Sequence, residues 1–90
     1  MANYIPVSAA AADGTDFTLA ANAATTLSLS AASALVPGCG ALIQIKSAGG
    51  SYQTIGRLDR DYPVRVLQAT GTFRVSKGSN PDLPFGVERD

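Results

Sequence analysis

The sequence specifies an all-β fold: a single small antiparallel β-sandwich or β-barrel with an extended N-terminal arm. Three observations predict it. Apolar and polar residues alternate with period two over several short segments, turn-forming glycines and prolines separate those segments, and no stretch of helical periodicity is long enough to stand alone.

In chain order, Tyr4–Ser8 and Phe17–Ala20 are short strand candidates within an alanine-rich beginning. Residues 1–16 are set apart as the arm, and 17–90 form the one β domain. Thr25-Thr26-Leu27-Ser28-Leu29-Ser30 alternates cleanly, which puts Leu27 and Leu29 on the buried face of a strand. Ala31–Leu35 has room for a single helical turn, stopped by Pro37-Gly38. Ala41–Lys46 directs Ile43 and Ile45 inward and Gln44 and Lys46 outward. Ser47-Ala48-Gly49-Gly50-Ser51 is the strongest turn signal, because glycine takes the positive φ that tight hairpins require, and Tyr52–Ile55 returns antiparallel. Pro63–Gln68 follows, with proline tolerated at a strand's first position. Ala69-Thr70-Gly71 turns the chain into Thr72–Lys77, whose Phe73 and Val75 face inward and Arg74 and Ser76 outward. Gly78–Asp82 ends that strand, with Asn80-Pro81 favouring a turn, and Phe85–Glu88 adds a last one.

Ninety residues make one domain, which buries only about 60–65% of the surface of its unfolded chain. Domains of this size often need a disulfide, a metal or a partner. A single cysteine, Cys39, allows no internal disulfide, and with no histidine the usual zinc constellations are absent. Oligomerisation or docking onto a larger body remains. Basic and acidic residues balance at seven each, yet residues 1–45 carry only Asp13 and Asp16. So weakly charged a half fits a surface covered by a partner, and equally an ordinary Ala/Ser/Thr-rich stretch. With no basic tract, nucleic acid is not an expected partner, and with no 18-residue apolar run, neither is a membrane. The start lacks the basic and apolar regions of a secretory signal, and one cysteine fits synthesis in a reducing cytoplasm.

The lack of histidine removes the commonest general base and the usual Ser–His and Cys–His dyads, so an enzyme is not expected and no residue is assigned a catalytic, metal or cofactor role. Gly38-Cys39-Gly40 lacks the glycine and lysine of a phosphate loop, and Cys39 is expected to be a small buried loop residue, since no cation nearby in sequence would activate its thiol. Asp13 and Asp16 flank Gly14-Thr15 and suggest a turn in which aspartate caps its own backbone. In Arg57-Leu58-Asp59-Arg60-Asp61 each acid has a basic neighbour, as in a solvated connector. Arg65 and Arg74 fall on strands expected to be adjacent, where two like charges invite an acid from another subunit or from Glu88 or Asp82.

From Thr25 to Asp90 the chain resembles the small β-rich virion proteins of tailed bacteriophages, notably the head decoration, or cement, type. The resemblance lies in the Thr-Leu-Ser-Leu-Ser strand, the Ala41–Lys46 and Tyr52–Leu58 hairpin, Thr70-Gly71-Thr72-Phe73-Arg74-Val75 and the closing Phe85-Gly86-Val87-Glu88. It implies a protein made in the bacterial host cytoplasm and carried on the virion, where it clamps the major capsid protein or another virion protein. It also implies a homo-oligomer, with a trimer favoured, whose N-terminal arm extends onto the shell. On this view Tyr4, Ile5, Pro6 and Val7 of the arm, together with Arg65 and Arg74, are the candidate partner contacts. A tail, adaptor or fibre component is the alternative within the virion. A carbohydrate- or ligand-binding β module is the alternative outside it.

Overall fold

The computed structural model describes residues 2–31, 39–79 and 83–90. Its strands are β1 (Ala2–Ser8), β2 (Ala12–Asp13), β3 (Phe17–Leu19), β4 (Thr25–Ala31), β5 (Gly40–Lys46), β6 (Tyr52–Asp59), β7 (Val64–Leu67), β8 (Gly71–Lys77) and β9 (Phe85–Arg89). No helix occurs among the described residues. The strands form a small β-sandwich of two antiparallel sheets, the first in the order β1-β9-β4-β7 and the second β2-β8-β5-β6, with β3 also paired to β8. The proposed turn at Ala31–Leu35 and the turn at Asn80-Pro81 lie outside the described residues, apart from Ala31, which ends β4.

Alternation decides which face of each strand is buried. Thr25, Leu27 and Leu29 of β4 point inward, as do Ala41 and Ile43 of β5 and Phe73 and Val75 of β8. Register sets Leu29 beside Val87 in the first sheet and Ile43 beside Val75 in the second, so the two inner faces meet in one core. The hairpin between β5 and β6 closes with the Ser47 and Ser51 backbones hydrogen-bonded at 2.7 Å and Gly50 at a φ of 89°. Opposite Ile43 and Gln44 an extra residue, Ile55, makes a β-bulge.

Two expectations change. Residues 2–8 are not an arm but an edge strand of the first sheet, antiparallel to β9, with Ile5 in the core at 2% exposure. The bulge between Ile5 and Ser8 places Pro6 and Val7 against Gly86, where the approach is so close that any Cβ on residue 86 would collide with the β1 backbone. Proline suits that position because its missing N–H leaves no donor unpaired. The second change concerns β7 and β8, which are not a hairpin. The chain crosses from one sheet to the other after Leu67, because β7 pairs with β4 and β8 with β5.

The same alternation that buries Phe73 and Val75 also turns Lys77 inward, to 2% exposure. Its Nζ donates to the Ser8 carbonyl at 2.7 Å, the Ser8 hydroxyl at 2.9 Å and the Phe85 carbonyl at 2.7 Å, and it sits 4.8 Å from the centre of the Phe85 ring. All three ammonium donors are thereby filled. Burial holds the Lys77 pKa below its ordinary 10.5.

Two outcomes follow from this packing. Phe73→Ala should cost about 3–5 kcal/mol, a large share of a small domain's stability, and an unchanged melting temperature would remove Phe73 from the core. Lys77→Met keeps the apolar stem but strands carbonyl acceptors, so urea denaturation at neutral pH should show a loss of about 1–3 kcal/mol. With its folded pKa depressed, the cost of burying the charge applies in full below that pKa and fades as pH rises toward 10.5. The stability gap between the wild type and Lys77→Met should therefore widen with alkaline pH. A gap that narrows would mean that the three bonds favour the charged amine and raise its pKa, whereas a more stable variant would mean that the cost of burying the charge outweighs those bonds.

Candidate functional site

The outer face of the second sheet carries a compact polar cluster built from both halves of the chain. Register places Gln44 beside Arg74 and Lys46 beside Tyr52, all turned away from the core. The Arg74 guanidinium lies 3.6 Å from the centre of the Tyr52 ring, donates from Nε to Gln44 Oε1 at 2.9 Å, and pairs with Asp13 at 3.6 Å. Asp13 is held by the Ser76 hydroxyl, which donates to it at 2.6 Å. The Tyr52 hydroxyl reaches both carboxylate oxygens of Asp16, at 2.7 and 2.9 Å, and Lys46 approaches the same carboxylate at 3.4 Å. The Asp13/Asp16 pair is therefore not a self-capped turn; each acid leans onto the sheet. The aspartate that does cap its own backbone is Asp59, which accepts from the Asp61 and Tyr62 amides at 3.0 and 2.8 Å. In that connector the expected ion pairs are present, Arg57–Asp59 at 3.7 Å and Arg60–Asp61 at 3.6 Å.

The electrostatics of the cluster favour rigidity over proton transfer. The hydrogen bond from Tyr52, helped by Lys46, holds Asp16 below its ordinary pKa of 3.8, and Asp16 in turn raises the Tyr52 phenol above 10.0. An acid held ionised and a phenol held protonated are both poorly placed to exchange protons near neutral pH. Two carboxylates and two cations also leave the patch without net charge. The described residues include no group of three or more acids or cysteines placed to hold a metal ion. Beside the cluster runs an open groove of about 310 Å³ lined by Gly40, Ala41, Leu42, Arg57, Ser76, Lys77 and Gly78, and the Lys77 ammonium is turned away from it into the core.

The six candidate contacts do not gather in one place. Tyr4 is half-buried: its ring meets Phe17 edge-on at 5.6 Å, and its hydroxyl donates to the Thr15 carbonyl and accepts from the Val75 amide at 3.4 Å. Burial raises its phenol pKa above 10.0. Ile5 is core, while Pro6 and Val7 are exposed on the bulge. Arg74 belongs to the cluster on the second sheet, and Arg65 to β7 of the first, so the two arginines do not stand side by side. Among the described residues the acid that meets Arg74 is Asp13 and not Glu88; Asp82 lies outside them. Arg65 makes no ion pair among the described residues; its guanidinium rests against Gly56 of β6. On β7 it is flanked by Val64 and Val66, 54% and 65% exposed, with Tyr62 at 64% just before.

Tyr52, Asp13, Asp16 and Lys77 escaped the sequence-derived candidates. Lys77 was within reach of them, since it stands two residues beyond Val75 on the inward side of the alternation. Tyr52 and Lys46 frame the Gly49-Gly50 turn symmetrically, which brings them opposite each other. Nothing local announces Asp13 or Asp16, whose partners are 30 to 63 residues away.

The phenol of Tyr52 should titrate above 10.0 in an ultraviolet pH titration, and Asp16→Asn should bring it down toward that value by removing the acceptor charge. An identical Tyr52 titration in the variant would break the assigned coupling.

No protein-family model, curated protein or solved structure matches the chain.

Proposed function

We propose that this chain is a non-enzymatic virion structural protein that binds and stabilises a bacteriophage capsid in the manner of a decoration protein. The observation that carries the proposal is the exposed apolar edge of β7. Val64 and Val66, with Tyr62 nearby, stand in solvent on a strand whose far side has no neighbour among the described residues. Exposed apolar edges are usually blocked in free-standing proteins and retained where a partner covers them. The resemblance of residues 25–90 to phage head proteins supplies the kind of partner, a major capsid protein or another virion protein, and favours a trimer. Docking also suits a small domain. A partner present at a hundredfold its dissociation constant adds about 2.7 kcal/mol to the folded state. A carbohydrate module is less well supported, since Arg74 already covers a face of the Tyr52 ring on which a sugar would stack.

The purified chain, titrated onto expanded phage heads, should bind at a fixed copy number per capsomer and raise the temperature at which the heads rupture. Binding of a few copies at one vertex would indicate a tail or adaptor component instead. Heads that bind none, or that gain no heat resistance, would end the capsid assignment.

A further inference from the structure

The backbone of β7 shows what kind of contact its free edge can make. The Leu29 amide donates to the Pro63 carbonyl at 2.8 Å, which makes Leu29 and Pro63 a hydrogen-bonded pair of the antiparallel ladder. Continuing by twos, Arg65 opposite Leu27 and Leu67 opposite Thr25 direct their peptide groups at β4. The N–H and C=O groups of Val64 and Val66 then point the other way, off the sheet. No described strand receives them. The edge is also straight: the four β4–β7 pairs run without a register shift.

The side chains select the occupant. In an antiparallel strand laid on this edge, residues opposite Val64 and Val66 form the hydrogen-bonded pairs, and the residue opposite Arg65 falls in the closer, non-hydrogen-bonded pair. Arg65 has no ion pair of its own among the described residues, so a carboxylate at that position completes it. A second copy of β7 does not supply one. Two-fold pairing centred on Arg65 sets guanidinium against guanidinium, and pairing centred on Val66 sets Arg65 against Leu67; β7 itself holds no acid. We propose that the free edge of β7 accepts an extended segment of a different protein as an added antiparallel strand, with an acidic side chain opposite Arg65 and apolar side chains opposite Val64 and Val66. This rests on the assembly function proposed above and names the element that docks.

Two capped synthetic peptides test it on the intact chain: Thr-Val-Glu-Val-Thr and its counterpart with lysine at the centre. Amide exchange followed by nuclear magnetic resonance should show Val64 and Val66 gaining protection with the glutamate peptide. The lysine peptide should bind about tenfold more weakly, since the cross-strand pair turns from attraction to repulsion. Arg65→Glu should reverse that preference. Val66→Pro removes an outward donor and leaves the β4 ladder intact, so it should abolish peptide binding and preserve the melting transition. Should Val66→Pro fail to fold, the charge reversal at Arg65 alone decides. Equal binding of the two peptides, no protection at Val64 and Val66, or dimerisation through β7 detected by sedimentation would each overturn the proposal. Heads that bind Val66→Pro at the wild-type copy number would also overturn it while sparing the capsid assignment. Peptide binding as expected, with no binding to heads, would retain strand addition and remove only the capsid.

Discussion

The ammonium of Lys77 is the constraint on which the rest of this sandwich depends. A charge taken out of water is tolerated only where every donor finds an acceptor, and here the three acceptors come from two residues on two other strands. Lys77 belongs to β8 of the second sheet, Ser8 ends β1 and Phe85 begins β9, both of the first. One side chain thus bolts the two sheets together at one end of the core. Among the described residues none of its acceptors is a carboxylate, so three hydrogen bonds rather than an ion pair offset the burial. Displacing Ser8 or Phe85 would expose that cost, which ties the position of the N-terminal strand to the interior of the fold.

The ends of the chain are locked by a complementary device. β9 enters between β1 and β4, so the last strand in sequence is internal in its sheet. Beyond it the Asp90 carboxylate accepts from the Thr25 hydroxyl and the Thr26 amide, both at 2.8 Å, and those bonds hold its pKa below 3.8. Arg89 turns inward at the same end and lays its guanidinium 4.4 Å from the centre of the Phe17 ring, which also receives the edge of Tyr4. First and last strands are therefore neighbours that share a core. A topology so dependent on contacts remote in sequence must close large loops before they are rewarded, which places it among slow-folding architectures. The low charge of residues 1–45 has a partial explanation in the same arrangement, because β4 runs between β9 and β7 and Ile5, Phe17 and Leu19 are core.

What the sequence disclosed and what it withheld divide along a physical line. Leu27, Leu29, Ile43, Phe73 and Val75 are legible because period two is a local property of the backbone, and the Gly49-Gly50 turn because positive φ is a local demand. Which strands pair is not local. The short link at Ala69-Thr70-Gly71 suggests a hairpin, yet β7 finds β4 and β8 finds β5, and that choice separates Arg65 from Arg74. Tyr4 and Ile5 were legible as a strand but not as core, since their burial depends on β9 arriving from the far end of the chain. The polar cluster was hidden for a similar reason: Asp13 and Asp16 acquire their roles only when β2 and β3 settle beside β8.

The treatment of the sheet edges gives the exposed valines their meaning. β1 is broken by bulges and carries Pro6, β6 is kinked by the bulge at Ile55, and β2 and β3 are two and three residues long. Each of these is a recognised way to prevent edge-to-edge association. β7 has fewer of them: it is four residues long, follows a proline and carries one charge, but its register is regular and two exposed valines alternate with the arginine. Arg65 shares the side of the sheet that Leu27 turns to the core, where a charge discourages pairing with any strand that brings no opposite charge, and its guanidinium lies beside Gly56. On the proposed reading the regular, valine-bearing edge of β7 receives a strand whose acid answers Arg65, and that cover removes the cost in aggregation that exposed edge valines otherwise carry.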